Sequence, residues 1–157
     1  MKIDTLYVRR NVVNNYDIMH WMIGNKFTSM QHPFDLHVTV AYSRKMLVWP
    51  EPKKRMLIYP RVETKLERLG ELGKALVLTF DSEELRDDWQ EFQDLGASWD
   101  WQDYKPHITI TYQDQPNVNF ETIESYSGPL ILSDEVFEPL NTEFEPNEEV
   151  PLYPQYR

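Results

Sequence analysis

The chain has 157 residues, of which 41% are hydrophobic and 13% aromatic, and this composition suits a single domain with a buried core. The absence of cysteine excludes disulfides, thiolate metal sites and a cysteine nucleophile. The formal net charge of −10 disfavours capture of duplex DNA, because phosphate contacts dominate such binding.

The first half of the sequence predicts three strands and one helix. The strands are expected over residues 5–8, 36–42 and 56–63, the last of them after a loop rich in proline and basic residues. An amphipathic helix is expected over residues 12–23. Its expected buried side chains are Val13, Tyr16, Met19 or His20, and Ile23.

The second half predicts a well-marked helix between strands. A strand over residues 75–80 leads into a helix that is capped by Asp81 or Ser82 and ends by Gly96. The expected buried stripe of this helix consists of Leu85, Trp89, Phe92 and Leu95. Further strands are expected over residues 107–112, 130–132 and 136–140.

The ends of the chain predict little additional structure. We expect residues 1–140 to form one domain and residues 141–157, which are rich in Pro and Glu, to form an acidic arm or tail. The sequence has no apolar run near the length of about 18 residues that a membrane span needs, and its N-terminus lacks the apolar segment of a secretory signal. These features predict a cytoplasmic protein without a membrane partner, and they leave the oligomeric state open.

The charges are distributed unevenly along the chain. Residues 1–74 hold 13 of the 16 Lys and Arg side chains against 7 acids, whereas residues 75–157 hold 3 against 19. This asymmetry predicts a locally positive cleft that suits a small anionic ligand. The candidate contributors to the cleft are Arg9, Arg10, Arg44, Lys45, Lys53, Lys54 and Arg55.

Two predicted strands carry the same motif, a histidine followed two residues later by a threonine. His37 and Thr39 form the first pair, and His107 and Thr109 form the second. Side chains at positions i and i+2 of a strand project from one face about 6–7 Å apart, so each motif presents an imidazole beside a hydroxyl. Chance would give only about 0.02 such double motifs in a chain with four histidines. We therefore assign these four side chains to a catalytic site.

The chain resembles the 2H phosphoesterase superfamily, which is defined by two H-x-[ST] motifs on strands of a bilobal α+β fold. Within it, residues 37–42 (His-Val-Thr-Val-Ala-Tyr) and 104–110 (Tyr-Lys-Pro-His-Ile-Thr-Ile) are similar to bacteriophage anti-CBASS nucleases. Those enzymes destroy the cyclic oligonucleotide messengers of antiphage signalling. The resemblance implies two pseudo-symmetric lobes with antiparallel sheets flanking a central cleft and, for a phage-encoded protein, a place in the host cell cytoplasm.

Two histidines suffice in chemical terms to cleave a ribonucleotide phosphodiester. Attack by the neighbouring 2′-hydroxyl needs a base at that hydroxyl and an acid at the leaving 5′-oxygen, and imidazoles can supply both near neutral pH. Thr39 and Thr109 would donate hydrogen bonds to the non-bridging phosphate oxygens. The expected products are a 2′,3′-cyclic phosphate and then a linear 3′-phosphate. The near symmetry of the motifs leaves the two histidine roles exchangeable.

No metal or other cofactor is needed for this chemistry. The sequence has neither an H-E-x-x-H nor an H-x-H motif, and His20 and His32 lie outside both strand motifs. We therefore expect the two remaining histidines to be structural or exposed on the surface.

Aromatic and charged side chains near the motifs are candidates for substrate binding. Aromatic rings can stack on nucleobases, a lysine can steer phosphate, and a carboxylate can accept a hydrogen bond from the amino group of adenine. The stacking candidates are Tyr7, Trp49, Trp99, Trp101 and Tyr104, the phosphate candidate is Lys105 and the adenine candidate is Glu135.

Three functions are compatible with these features. The leading one is metal-independent hydrolysis of 3′,5′-linked cyclic di- and trinucleotides, which the small size and acidic balance favour. An RNA 2′,3′-cyclic phosphodiesterase or 2′,5′-RNA ligase is the alternative enzyme, although it should need a longer basic track for RNA. A protein that binds the messenger without cleaving it has no need of two proton-transfer groups.

Overall fold

The structure is a computed structural model, which describes residues 1–143 and 145–153. The strands of these residues are β1 (Ile3–Val12), β2 (Ser29–Met30), β3 (His37–Val48), β4 (Leu57–Glu63), β5 (Lys65–Leu69), β6 (Ala75–Thr79), β7 (His107–Thr111), β8 (Ser127–Glu138) and β9 (Val150–Pro151). The α-helices are α1 (Asn15–Gly24) and α2 (Glu83–Asp94), and short 3-10 turns cover Pro33–Asp35 and Glu71–Gly73. No helix in this part of the chain is both long and apolar enough to cross a membrane.

Seven strands form one antiparallel sheet in the order β4-β8-β1-β3-β7-β6-β5, and β2 pairs separately with β9. The strands that carry the two motifs, β3 and β7, are neighbours in the middle of the sheet and pair at Val38 and Ile108. Four strands lie on the β3 side of this junction and three on the β7 side. This arrangement confirms the expected bilobal α+β fold, with the sheets of the two lobes joined into one.

The two faces of the sheet differ around β1 and β3. Every second side chain of β1, from Leu6 to Val12, is buried. On this side, which we call the α2 face, Phe92 of α2 packs on Phe137 of β8 with ring centroids 5.8 Å apart. The other side, which we call the open face, is partly buried and carries the motif side chains. The α2 face therefore forms core, and the open face is free to hold a site.

Helix α2 begins where its sequence predicts. The Ser82 hydroxyl accepts a hydrogen bond from the Leu85 backbone N–H at 3.1 Å and so caps the helix. Leu85 and Phe92 are buried, as expected. Leu95, however, is 53% exposed, because the helix ends at Asp94 and the next residue is its C-terminal cap.

Helix α1 begins later than its sequence predicts. It starts at Asn15 because β1 continues as far as Val12. Ile23 is buried as expected, together with Ile18 and Met22, whereas Tyr16 is exposed and Val13, which is also exposed, lies before the helix.

Two features of the sheet differ from the sequence expectation. Strand β5 lies at the sheet edge, and its weak alternation of polar and apolar residues does not predict it. The two short strands expected over residues 130–132 and 136–140 are one strand, β8. The polar residues between them stay extended because β8 continues to pair with β1, including a pair between Glu135 and Arg10.

Part of the expected C-terminal arm lies against the domain. The Glu149 carboxylate accepts hydrogen bonds from the Thr111 hydroxyl at 2.6 Å and from the Tyr112 backbone N–H at 2.7 Å. Leu152 is buried, and β9 pairs with β2. The segment around Glu149 thus braces the end of β7, while the domain boundary at residue 140 stays a prediction.

A buried ionic network ties α2 to β1. The Arg10 guanidinium is 1% exposed, donates to the carbonyl oxygens of Arg55 at 2.6 Å and Ser133 at 2.9 Å, and lies 3.5 Å from the Asp88 carboxylate. Asp88 also pairs with the Lys53 ammonium group. The opposite charges compensate each other for the water that they lose on burial. Removal of one partner should therefore lower the free energy of unfolding.

We expect Asp88→Asn to lower the free energy of unfolding by about 3 kcal/mol, because it leaves the Arg10 charge buried without its carboxylate. Urea denaturation followed by circular dichroism measures this change. Glu63→Gln is the matched control, since Glu63 pairs with Arg61 on the exposed surface and its loss should leave the unfolding midpoint unchanged. Equal midpoints for the two variants would contradict a stabilising role for the buried network.

Candidate active site

The pairing of β3 with β7 brings the two motifs together. In the antiparallel register through Val38 and Ile108, His37 comes opposite Thr109 and Thr39 comes opposite His107. All four side chains then project from the open face, related by an approximate two-fold axis through the central pair. The geometry therefore combines both sequence motifs in one site.

Each histidine is held by the backbone in the same way. His37 Nδ1 lies 2.7 Å from the Asp35 carbonyl oxygen, and His107 Nδ1 lies 2.8 Å from the Lys105 carbonyl oxygen. Because a carbonyl oxygen can only accept, each Nδ1 carries a proton and donates it. The nitrogen that can accept or release a proton is therefore Nε2 in both rings.

Both histidines have lowered pKa values. Burial lowers the pKa of His37, the hydrogen bond to the Asp35 carbonyl partly offsets this effect, and the positive charges of Arg9 and His107 lower the pKa further. Burial likewise lowers the pKa of His107, again partly offset by its carbonyl partner. Both imidazoles are therefore mainly neutral at pH 7 in the free protein, and an anion bound between them would favour protonation of one.

Tyr7 joins the two side chains of the first motif. Its hydroxyl lies 2.9 Å from His37 Nε2 and 2.8 Å from Thr39 Oγ1. Burial raises the pKa of Tyr7, so the phenol keeps its proton. The candidate substrate residue Tyr7 thus lies in the site, where it contacts the proposed catalytic groups directly.

The second motif has a tyrosine of its own, Tyr112, which the sequence does not mark as a site residue. Burial raises the pKa of Tyr112, and the neighbouring Thr109 side chain partly offsets this rise. Tyr112 also lies near Tyr7. A tyrosine therefore contacts the threonine of each motif. Tyr112 follows its motif by three positions in sequence, but only the folded structure shows that its hydroxyl turns back to Thr109.

A bulge in β3 adds a further aromatic residue to the open face. The register with β1 passes from Arg9 opposite Thr39 to Val8 opposite Ala41, which leaves one extra residue in β3. The extra residue reverses the alternation, so Tyr42 shares the open face with Thr39. The Tyr42 ring packs edge-on against Tyr7 with centroids 6.1 Å apart. Simple alternation would have placed Tyr42 on the opposite face.

Trp101 lies at the rim of the site beside Tyr42. The two ring centroids are 5.2 Å apart, and the indole is 56% exposed. Its loop is held to β3 because Arg44 forms three hydrogen bonds of 2.7–3.0 Å with the Asp100 carboxylate. Trp101 is thus the stacking candidate that is both exposed and connected to the motif strands, through Tyr42 and Tyr7.

Two cationic side chains beside the motifs are paired with carboxylates. Arg9 lies opposite Thr39 across the β1–β3 ladder and forms an ion pair with Glu138. Lys105, the candidate for phosphate steering, places its ammonium group 2.6 Å from the Glu67 carboxylate. Asn11, which faces His37, accepts a hydrogen bond from Arg9 at 3.2 Å. Arg9 and Lys105 are thus each neutralised by a neighbouring acid.

Two of the residues expected to form a positive cleft, Arg10 and Lys53, lie away from the open face. Arg9 lies on the open face, but Arg10 is buried on the α2 face. Lys53 pairs with Asp88 and Glu91 of α2. Arg9 and Arg10 are adjacent in sequence, but strand alternation directs them to opposite faces of the sheet. The loop after β3 brings Lys53 to α2.

Two of the predicted stacking residues are structural. Tyr104 is 2% exposed, its ring stacks on Trp89 with centroids 5.4 Å apart, and its hydroxyl donates to the Thr39 carbonyl at 2.8 Å. It therefore supports the first motif strand from the core. Trp49 packs on Phe137 of the α2 face, and the Lys2 ammonium group lies over its ring. Neither ring is placed to stack on a base beside the motifs.

The predicted adenine contact, Glu135, also lies away from the motifs. It pairs with Arg10 in the β1–β8 ladder, which puts it on the α2 face, and it is 6% exposed. Its carboxylate accepts a hydrogen bond from the Lys53 backbone N–H at 2.8 Å. Burial raises its pKa. We therefore do not retain Glu135 as a substrate residue.

The remaining histidines and acids do not form a second centre in the described residues. His20 is exposed on α1, and His32 Nδ1 accepts a hydrogen bond from the Phe34 backbone N–H at 3.2 Å. Among residues 1–143 and 145–153, no group of three or more His, Asp or Glu side chains is arranged to hold a metal ion.

Comparison with known sequences identifies the family. The family model described as "Anti-CBASS protein Acb1" matches residues 4–147. A protein of that name from Caulobacter sp. (strain RHG1) is 36% identical over 143 residues, which are 87% of this chain but 22% of the relative. Another from Enterobacteria phage T4 is 31% identical over 113 residues, 69% of each chain. The chain thus spans under a quarter of the Caulobacter relative and about two thirds of the phage T4 one.

Solved structures show the same fold. A structure described as a phosphoesterase matches with a TM-score of 0.58 at 11% identity, and Escherichia coli LigT complexed with 3′-AMP matches with a TM-score of 0.53 at 12% identity. Each comparison covers 96% of this chain and 99% of the other. At such identities the similarity concerns the fold alone. The chain belongs to the Anti-CBASS protein Acb1 family and has the fold of the 2H phosphoesterases.

Proposed function

We propose that the protein is a metal-independent phosphodiesterase that hydrolyses 3′,5′-linked cyclic di- and trinucleotides to linear 3′-phosphates and so counters CBASS signalling inside the host cell. One observation carries this proposal: the Val38–Ile108 register puts two His-x-Thr pairs on one face, with each histidine oriented through its Nδ1 so that Nε2 is the proton-transfer atom. Family membership supports the biological role.

The first step is an intramolecular transesterification. One neutral histidine takes the proton from the 2′-hydroxyl through Nε2, and the 2′-oxygen forms a bond to phosphorus. The other histidine, protonated in the complex, gives its Nε2 proton to the 5′-oxygen as the P–O5′ bond breaks. This step opens the cyclic messenger and leaves a 2′,3′-cyclic phosphate. Afterwards the two histidines have exchanged protonation states.

The second step starts from the exchanged protonation states of the two histidines. The histidine that acted as the acid is now neutral and accepts a proton from water, whose oxygen attacks phosphorus. The other imidazolium protonates the departing 2′-oxygen, which yields the 3′-phosphate. Thr39 and Thr109 donate hydrogen bonds to the non-bridging oxygens, where negative charge increases in both transition states. The two histidines thereby return to their starting states, and no cofactor is consumed.

The surroundings of the motifs favour a small substrate. Arg9 and Lys105 are each paired with a carboxylate, so the open face offers no long basic track for an RNA backbone among the described residues. Trp101 and Tyr42 provide an aromatic edge on which a base of a compact ring could stack. The RNA-processing alternative shares the fold and the acid-base chemistry, so an assay must separate the two.

The assay compares 3′,3′-cyclic GMP-AMP, a cyclic triadenylate and an RNA that ends in a 2′,3′-cyclic phosphate, each incubated with the protein in EDTA and analysed by chromatography. We expect cleavage of the cyclic messengers. His37→Ala and His107→Ala should each lower kcat by at least about 1,000-fold, because each removes one proton-transfer group.

His20→Ala is the control, since that side chain is exposed on α1 and lies outside both motifs. It should keep parental activity. Opening of the RNA end alone would assign the protein to RNA processing, and parental activity of either motif variant would refute the two-histidine mechanism.

We expect Trp101→Ala to raise KM for the cyclic messenger by about 10-fold to 100-fold with little change in kcat, because loss of a stacking ring costs about 1–3 kcal/mol of binding. Steady-state kinetics measures both constants. Trp49→Phe is the control, because Trp49 packs on the α2 face. An unchanged KM for Trp101→Ala would remove this residue from the binding site.

A further inference from the structure

The two halves of the site differ in how their histidines are engaged. In the first half the Tyr7 hydroxyl contacts both His37 Nε2 and Thr39 Oγ1, at 2.9 and 2.8 Å. In the second half Tyr112 contacts Thr109, and within residues 1–143 and 145–153 no side chain lies at hydrogen-bond distance from His107 Nε2. Among the described residues, a continuous hydrogen-bond chain thus links histidine and threonine in the first motif but not in the second.

The direction of this chain in the neutral state follows from proton counting. Neutral His37 carries its proton on Nδ1, which donates to the Asp35 carbonyl, so Nε2 is an acceptor. The Tyr7 hydroxyl has one proton and must donate it to Nε2. The Tyr7 oxygen therefore accepts from the Thr39 hydroxyl. In this state the Thr39 proton points to Tyr7 and is unavailable to a phosphate.

Protonation of His37 reverses both hydrogen bonds. The new Nε2–H donates to the Tyr7 oxygen, and the Tyr7 hydroxyl then donates to Thr39 Oγ1. The Thr39 proton is released from Tyr7 and can be donated elsewhere. We propose that Tyr7 is a positioning residue that couples the protonation of His37 to the orientation of the Thr39 hydroxyl, so that Thr39 donates to the scissile phosphate when His37 is protonated.

The charged and titratable groups around His37 are compatible with such coupling. Arg9 on β1 is paired with Glu138 on β8, and His107 approaches from β7. The Asp35 carboxylate, beside the first motif, accepts a hydrogen bond from Asn147 at 3.2 Å. The remaining neighbour is Tyr112, which interacts with Tyr7. The main charge that a substrate adds near His37 is its phosphate, which stabilises protonated His37.

This coupling assigns the acid and base roles to the two histidines, and the assignment rests on the proposed function. A bound phosphodiester favours the state in which His37 is protonated and Thr39 donates to the phosphate. In the first step the Nε2–H of His37 passes from its hydrogen bond with the Tyr7 oxygen to the leaving 5′-oxygen and gives it the proton. His107, whose Nε2 has no protein partner in the described residues, accepts the proton of the 2′-hydroxyl. In the second step the same nitrogens act in the opposite direction.

A double-mutant cycle of Tyr7→Phe and Thr39→Val tests the coupling through kcat. We expect Thr39→Val to lower kcat by about 100-fold in the parent, as loss of an oxyanion-type donor does, but by only about 10-fold in the Tyr7→Phe background, where the hydroxyl is no longer oriented. The control cycle pairs Tyr112→Phe with Thr39→Val and should be additive. Equal effects of Thr39→Val in both Tyr7 backgrounds would overturn the proposal.

Nitrogen-15 NMR of the histidines provides a readout that needs no substrate. In the free protein above pH 7, Tyr7→Phe should move the His37 Nε2 resonance to the position of an imidazole nitrogen that accepts no hydrogen bond, and the His107 resonances should stay in place. An unchanged His37 Nε2 resonance would also overturn the proposal. If the resonance moves but no cyclic nucleotide is cleaved, the hydrogen-bond chain stands and the proposed function fails.

Discussion

The pairing of β3 with β7 is the constraint on which the site depends. Val38 and Ile108 join two lobes of the sheet, and the residues on either side of them are the two His-x-Thr motifs. A shift of one residue would turn the motif side chains of one strand to the opposite face. Tyr104 supports this junction from the core, because its hydroxyl donates a hydrogen bond to the Thr39 carbonyl oxygen. Gln31, which follows β2, donates a hydrogen bond of 2.7 Å to the Thr109 carbonyl oxygen.

The two motifs form a nearly symmetric centre, and they differ chemically because the side chains around them differ. Both histidines use a backbone carbonyl two residues earlier to fix the tautomer, and burial lowers the pKa of both. The lobes differ in their tyrosines, because Tyr7 comes from the neighbouring strand β1 whereas Tyr112 follows β7 itself. Only Tyr7 reaches a histidine nitrogen as well as a threonine hydroxyl, among the residues that the structure describes. A symmetric pair of motifs can thereby acquire two distinct roles.

The sequence predicts the motif strands and helix α2 because strand alternation and helix capping are local signals, whereas the bilobal fold is implied by the resemblance to the 2H phosphoesterases. The sequence does not predict features that depend on which strands become neighbours. The bulge that turns Tyr42 to the open face, the contact of Tyr112 with Thr109 and the placement of Glu135 on the α2 face are all of this kind. Tyr104 shows the same limit, since closeness in sequence to His107 did not reveal that its ring is buried against Trp89.

Product analysis by mass spectrometry in H₂¹⁸O, with EDTA present, tests the two-histidine account most directly. The account predicts that a cyclic dinucleotide first gives a linear isomer of unchanged mass that ends in a 2′,3′-cyclic phosphate. This intermediate should then take up one ¹⁸O on the 3′-phosphate. A 5′-phosphate product, or uptake of ¹⁸O in the step that opens the ring, would contradict attack by the 2′-hydroxyl and with it the roles given to His37 and His107.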